Sequence, residues 1–372
     1  MNVALPRAAF ISDETLWAGG HPPGHPLRPE RLRDTWEMLQ AYRAFDAPNT
    51  RVAPPRPPTD DELATFHSRD YIEAVKRLSR GESGANTGRY NFGPGDNPVF
   101  EGMFESEGLK VGAALVAAEL LLNDEADVAF SFAGGLHHAG RDFASGFCVF
   151  GDGAVAIHRM LAAGWRVAYL DIDAHHGDGV QAAFYDDPRV LTISFHESGR
   201  FLFPGTGFTN ETGEGKGRGY SVNVPLYPYT GDETFLWAFD QIAPSLIDRF
   251  MPDVVVAQFG VDAHWRDPLT HLALTTYGFE ALFQRICRHA PRLLAVGGGG
   301  YDRAVVPRAW TLAWGVMSSQ TFPAQIPQPI AANYDPPLLH DEMTALLTPE
   351  QHRQAQATAE EVVAELKNLL QL

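Results

Sequence analysis

The sequence predicts an α/β fold: one mostly parallel, multi-stranded sheet with helices on both faces and a site at the carboxyl ends of the strands. Three observations carry this. Short apolar runs alternate with helical stretches over most of the chain, the pattern of strands buried on both sides. The runs are continuous rather than alternating in polarity. Each unusual cluster of ionisable or glycine residues follows the end of such a run, where ligands sit in open parallel sheets.

In chain order, residues 1–10 are too short and interrupted for a signal peptide. Residues 11–30 read as loop; His21 and His25 there could be ligands, but their Pro/Gly surroundings favour exposed loop residues. A helix is expected from about Pro29 to Phe45. A second starts at Thr59, where Thr59-Asp60-Asp61-Glu62 fits a capping box, and runs to Leu78. Residues 81–98, rich in Gly, Asn and Pro, form a long surface loop of the kind that is often functional. Glu107–Leu122 is a strong helix. Strands follow at Val128–Phe132, Val167–Ile172, Val190–Phe195, Ser221–Pro225, Val254–Phe259 and Leu293–Val296. The intervening helices are Asp152–Ala163, Thr234–Arg249, Thr276–His289 and Trp310–Met317, and an amphipathic helix at Pro349–Leu370 closes the chain. No repeat or linker divides it, so residues 1–372 are read as one domain.

The chain has 372 residues, 45% hydrophobic, enough for a large core. Its net charge of −17 argues against unassisted binding to nucleic acid or anionic membrane. Two cysteines, Cys148 and Cys287, cannot make a disulfide framework and point to a reducing, cytoplasmic setting. No apolar run reaches the ~20 residues of a membrane span.

The densest cluster is Asp171-Ile172-Asp173-Ala174-His175-His176-Gly177-Asp178-Gly179. That many ionisable groups at a buried strand end are costly unless paired, and a divalent cation converts carboxylate repulsion into coordination. Asp173 and His175, with Asp262 after the run Val254–Phe259, offer two carboxylates and one imidazole. Three protein ligands with an open position suit catalytic zinc, and equally Fe(II) or Co(II). His137 and His138 follow another strand. Asp171 and Asp178 are spare carboxylates that could orient them as two dyads. Tyr301 follows four glycines, where a phenol could donate to an oxyanion. Phe147 and Phe203 sit in glycine-bounded turns and could wall an apolar tunnel.

These residues resemble the zinc-dependent histone deacetylase family in its class I-like bacterial form, which includes acetoin-utilisation-type deacetylases. The matching motifs are Gly-Gly-Leu-His-His-Ala (134–139), Ala-Ser-Gly-Phe-Cys (144–148), Asp-Ile-Asp-Ala-His-His-Gly-Asp-Gly-Val (171–180), Phe-Pro-Gly-Thr-Gly (203–207), Tyr-Ser-Val-Asn-Val-Pro (220–225), Gly-Val-Asp-Ala-His-Trp-Arg-Asp-Pro-Leu (260–269) and Gly-Gly-Gly-Gly-Tyr (297–301). They stand in family order across about residues 11–317. The resemblance implies hydrolysis of acetyl-lysine in a protein or peptide by a metal-activated water. It makes Asp173, His175 and Asp262 the metal ligands, His137 with Asp171 and His138 with Asp178 the dyads, and Tyr301 the group that polarises the acetyl carbonyl. Gly146, Phe147, Phe203, Leu269 and Gly299 would contact the acyl-lysine, and Asp96 would grip substrate backbone at the rim. Two potassium sites are implied, largely through backbone carbonyls. One draws on Asp171, Asp173, His175, Ser194 and Phe195, the other on Phe184, Asp187, Val190 and Tyr220. Arg31 would match an interior arginine near the acetate exit. Gly151, Leu136 and Leu269 depart from patterns in eukaryotic members and bear on the tunnel wall rather than on the reaction.

Three rival readings follow from the same residues. An acetylpolyamine amidohydrolase would use the same site on a small cationic substrate. A two-manganese ureohydrolase of the arginase type would need an aspartate where His264 stands, two residues after Asp262. A catalytically inactive acetyl-lysine binder would need a missing group, and the set is intact.

Overall fold

The computed structural model describes residues 5–82 and 86–372. Among these, eight strands form one sheet: β1 (Ala8–Ile11), β2 (Thr50–Ala53), β3 (Val128–Ser131), β4 (Val167–Asp171), β5 (Val190–Glu197), β6 (Ser221–Leu226), β7 (Val254–Gln258) and β8 (Leu293–Val296). Their order is β2-β1-β3-β8-β7-β4-β5-β6. Every pairing is parallel, so helical crossovers must cover the sheet, and its central strands are wholly buried.

This order positions the site. The strands followed by the His137-His138 loop, the glycine run, the Asp262 loop and the Asp173-Ala174-His175 loop are β3, β8, β7 and β4, four consecutive neighbours. Their ends are level as well. Ser131 pairs with Val296, Val296 with Gln258, and Gln258 with Asp171. Segments from four distant parts of the sequence therefore leave the sheet from one row.

Six of the strands agree with the sequence reading to within a residue or two. β1 and β2, four residues each, are additional. β1 is entirely buried and lies in a stretch to which the sequence reading assigns no strand. Phe10 packs edge-on against Phe130 and Trp314 at 5.6 and 5.3 Å. The helix expected over Thr59–Leu78 is two helices, Asp60–Leu63 and Arg69–Ser79. The Thr59–Glu62 capping box is present. Ser68, however, is extended and caps a new helix by accepting from the Tyr71 N–H at 3.3 Å. The expected loop 81–98 contains a 3-10 turn, Thr87–Tyr90, with Tyr90 and Phe92 buried; residues 83–85 lie outside the described residues. The helix expected from Glu107 starts at Met103 and is buried almost all round. None of the described helices is long and apolar enough to cross a membrane.

The chain beyond the sheet is tied back beneath the site. Asp341 accepts from His264 Nε2 at 2.8 Å, from the Thr276 N–H at 2.9 Å and from Arg308 at 2.9 Å. Burial raises this carboxyl, but the hydrogen bond and charge of His264, then Thr276 and Arg308, outweigh burial and hold it well below the ordinary carboxylate range. A depressed folded-state pKa stabilises the fold above the unfolded carboxyl pKa near 4, and the stabilisation is lost as pH falls below it. Asp341→Asn leaves Arg308 buried without its charge partner and should cost about 3 kcal/mol at pH 7. The variant should also lose part of the acid sensitivity of unfolding. Urea titrations at pH 7 and pH 3 check both; an equal destabilisation at the two pH values would refute the ionic role.

Candidate active site

β4 and β7 each deliver a carboxylate from the loop that follows. Asp173 Oδ2 accepts from Gln258 Nε2 at 2.6 Å and from the Gly299 N–H at 2.7 Å. Asp262 Oδ1 accepts from the Ala174 N–H at 2.8 Å. The remaining oxygens face the same imidazole: His175 Nδ1 lies 3.1 Å from Asp173 Oδ1 and 2.8 Å from Asp262 Oδ2. All three side chains are buried, and their donor atoms lie within 4.8 Å of one another. Such a cluster must share a cation, a proton or a metal ion. Burial, then the charge of Asp173, raises Asp262 to about 6. Burial lowers His175, but the two carboxylates outweigh it and hold the ring well above its ordinary value. Two carboxylates, each held through its other oxygen, and one ring nitrogen fit a divalent ion with an open coordination position. Gly299 is obligatory here, because a Cβ would stand 2.1 Å from Asp262 Oδ2.

The two histidines after β3 have divergent environments. Asp152 accepts from the Gly135 and Leu136 N–H groups at 2.9 and 2.8 Å and fixes the loop that carries them. His137 Nδ1 donates to Asp171 Oδ2 at 2.8 Å, and His138 Nδ1 donates to Asp178 Oδ1 at 2.6 Å. The Nε2 atoms meet at 3.1 Å. Burial lowers His137, but Asp171 and Asp173 outweigh it and raise the ring to about 9. Burial and the positive charge of His137 push His138 down to about 4. Adjacent imidazoles thus hold opposite charge states, one cationic and one neutral.

Aromatic rings flank this floor. Phe203 meets His138 edge-on at 5.0 Å, and Phe147 meets Tyr301 edge-on at 5.8 Å. Gly146, at φ +50°, lies so close that a Cβ would stand 2.3 Å from His138 Cδ2. Leu269 is half-buried and Asp96 exposed. Burial, then Asp262 and Asp173, raises the Tyr301 phenol well above its ordinary value and keeps it a proton donor. Arg31, buried, donates to the Gly298 carbonyl at 2.6 Å and stacks over Trp310, supporting the glycine run from below.

The sequence reading passed over three residues that hold these parts. Gln258 orients Asp173. Asp152 orients the His137-His138 loop. Asp267 accepts from the Tyr301 N–H and the Leu269 N–H, both at 2.9 Å, so one carboxylate spaces a wall residue and the phenol. Each bonds mainly to backbone, which leaves no spacing to read. His21 and His25, expected to be exposed, are 6% and 7% exposed. His264 is not available as a second-metal ligand: one ring nitrogen bonds Asp341 and the other accepts from the Arg266 N–H at 3.2 Å. Among the described residues no other group of His, Cys, Asp and Glu converges as a metal site.

The residues expected around potassium fall in two places. Ser194 is the register partner of Asp171 across β4 and β5, with Phe195 next to it. Phe184, Asp187 and Val190 form one turn in which the Phe184 and Asp187 carbonyls accept from the Asp187 and Val190 N–H groups. Tyr220 offers its carbonyl to Thr192 beside that turn. The Asp187 carboxylate is engaged by Arg189 at 2.6 Å, leaving only its carbonyl for an ion.

Residues 25–317 match the histone deacetylase domain. The chain belongs to the histone deacetylase family. This deacetylase is 45% identical over 300 residues to the acetoin utilization protein AcuC of Bacillus subtilis (strain 168), covering 78% of this chain and 76% of that one. It is 38% identical over 309 residues to histone deacetylase 9 of Arabidopsis thaliana, covering 82% and 72%. The crystal structure of an HDAC homolog from Aquifex aeolicus superposes with a TM-score of 0.87 at 31% identity, covering 96% of this chain and all of that one. An HDAC homolog complexed with SAHA matches with the same TM-score, identity and coverage. The family is metal-dependent, and the deacetylase carries one candidate metal-holding triad, Asp173, His175 and Asp262, among the described residues.

Asp267→Asn replaces one acceptor by a donor facing a backbone N–H. It should lower kcat at least about tenfold by shifting Tyr301, the cost of one buried unsatisfied group. Single-turnover deacetylation beside thermal unfolding separates the effects; an unchanged kcat would reduce Asp267 to a space-filling role.

Proposed function

We propose that this deacetylase hydrolyses the ε-acetyl amide of lysine in a protein or peptide, giving lysine and acetate, with one zinc ion on Asp173, His175 and Asp262. Fe(II) or Co(II) could occupy the same donors. The observation that carries the reading is the set of groups around that triad: the neutral His138 and the protonated Tyr301 beside it, flanked by Phe147 and Phe203.

When bound, the ion supplies Lewis-acid chemistry, polarising the amide carbonyl and making water a stronger acid. Asp178 fixes His138 as the Nδ1–H tautomer, so its unprotonated Nε2, which lies 3.1 Å from His137 Nε2, is the atom that takes a proton from the attacking water once it turns from that neighbour. His137, held cationic by Asp171, supplies positive charge beside the forming oxyanion. The Tyr301 hydroxyl donates to that oxygen. His138 returns its proton to the departing lysine amine as the C–N bond breaks. Gly146 and Gly299 keep the passage narrow, Leu269 completes its wall, and Asp96 at the rim accepts from substrate backbone. Potassium on the carbonyls around Ser194 and around Phe184–Val190 would brace β5 and the loop after β4. All of residues 1–372 serve this one domain. Two cysteines without a disulfide are in keeping with a cytoplasmic setting.

An acetylpolyamine substrate is the competing reading, favoured by the exposed Asp96 and the net charge of −17. The exposed rings of Phe201 and Phe203, 49% and 45% accessible, instead support a substrate with a chain lying across the mouth.

On zinc-reconstituted protein, kcat/KM should favour an acetyl-lysine peptide over N-acetylputrescine, and a polyamine preference would move the function to small amines. Tyr301→Phe should lower kcat at least about 100-fold, as loss of an oxyanion donor does; near-normal turnover would remove its role. His138→Ala should be more damaging than His137→Ala in single-turnover assays, and the reverse ranking would contradict the assignment of the base.

A further inference from the structure

The stretch Gly19-Gly20-His21-Pro22-Pro23-Gly24-His25-Pro26 takes no part in the chemistry above, yet it buries two imidazoles against Phe147, the residue read as tunnel wall. The rings of His21 and His25 stack at 4.0 Å with 20° between their planes. His21 Nε2 lies 3.0 Å from the Phe147 carbonyl, which only accepts, so this nitrogen carries a proton. Its buried Nδ1 has no partner. His25 Nε2 lies 3.2 Å from the Asp96 carbonyl, while His25 Nδ1 accepts from the Leu27 N–H at 3.1 Å. Both rings are therefore Nε2–H tautomers, and burial lowers both from their ordinary value, His21 to about 4. Two neutral rings can stack at this distance without repulsion.

What the pair joins matters more than the pair itself. Phe147 stands at φ +71°, a left-handed conformation that costs a non-glycine residue about 1 kcal/mol. It is held by His21 at its carbonyl and by Asn97 Oδ1, which accepts from its N–H at 3.1 Å. The His25 ring meets the Phe147 ring edge-on at 4.7 Å. Asp96 and Asn97 are neighbours, so the rim carboxylate and the wall ring are tied to each other twice, through Asn97 directly and through the stacked histidines.

We infer that His21 and His25 are positioning residues that fix the spacing between Asp96 at the rim and Phe147 in the wall. The backbone of a peptide substrate is thereby held in register with its acetyl-lysine side chain. The inference rests on the acetyl-lysine reading above.

The test compares an acetyl-lysine peptide with a capped single acetyl-lysine that has no flanking residues to reach Asp96. His25→Asn keeps an acceptor for the Leu27 N–H but falls short of the Asp96 carbonyl. It should raise KM for the peptide on the order of tenfold, the value of one lost hydrogen bond, with a much smaller change in kcat and in KM for the single residue. His21→Asn should act in the same direction. His25→Gln and His21→Gln, which reach to the Nε2 position, should restore most of the loss. In an Asp96→Ala background His25→Asn should add nothing for the peptide. Equal losses on both substrates, or Gln variants no better than Asn, would overturn the inference while leaving the proposed function intact. Wild-type protein inactive on both acetyl-lysine substrates would overturn the function and the inference together.

Discussion

Two buried carboxylates and an imidazole share one small volume at the ends of β4 and β7, and the surrounding structure follows from the need to hold them there. Isolated in a low-dielectric interior, Asp173 and Asp262 would repel each other and drive one another to protonate. Here each has one oxygen fixed by other bonds: Gln258 and Gly299 on Asp173, Ala174 on Asp262. The other oxygen is thereby aimed at His175 Nδ1. A cation is the remaining member of the set. The parallel sheet supplies the geometry, because only adjacent strands ending in one row can bring these loops together without long connections.

Charge placement then differentiates chemically identical groups. His137 and His138 are neighbours in sequence, and each donates to an aspartate. The difference lies in what else surrounds them. His137 faces Asp171 and Asp173 and becomes cationic; His138 feels that cation and stays neutral. Tyr301 completes the pattern, kept protonated by burial and by the negative triad. An acceptor, a fixed positive charge and a neutral donor thus arise from environment rather than from residue type.

Much of this was legible in the sequence because glycine and ionisable clusters mark strand ends, and the strand order brings four such ends side by side. What escaped did so for physical reasons. β2 is an edge strand of mixed polarity, Thr-Arg-Val-Ala, and β1, Ala-Ala-Phe-Ile, is half alanine, so neither stands out as a strongly apolar run. His21 and His25 lie among prolines and glycines, which signal a loop but not whether the loop is buried. Asp152 and Asp267 bond to backbone N–H groups, and Gln258 to backbone as well as to Asp173; backbone leaves no trace in residue spacing. Asp341 meets His264 across 77 positions, a contact only the folded chain creates. That same contact explains why the two-metal alternative fails: the residue at the critical position is spent on a structural network.

The central claim is that a single divalent cation completes the triad and makes it catalytic. The most direct test is the zinc content of purified, zinc-dialysed protein, measured in wild type and in Asp262→Asn alongside deacetylation of an acetyl-lysine peptide. The account predicts one zinc per chain in the wild type, with zinc and activity lost together in the variant. Two ions per chain, or full activity in metal-free protein, would contradict it.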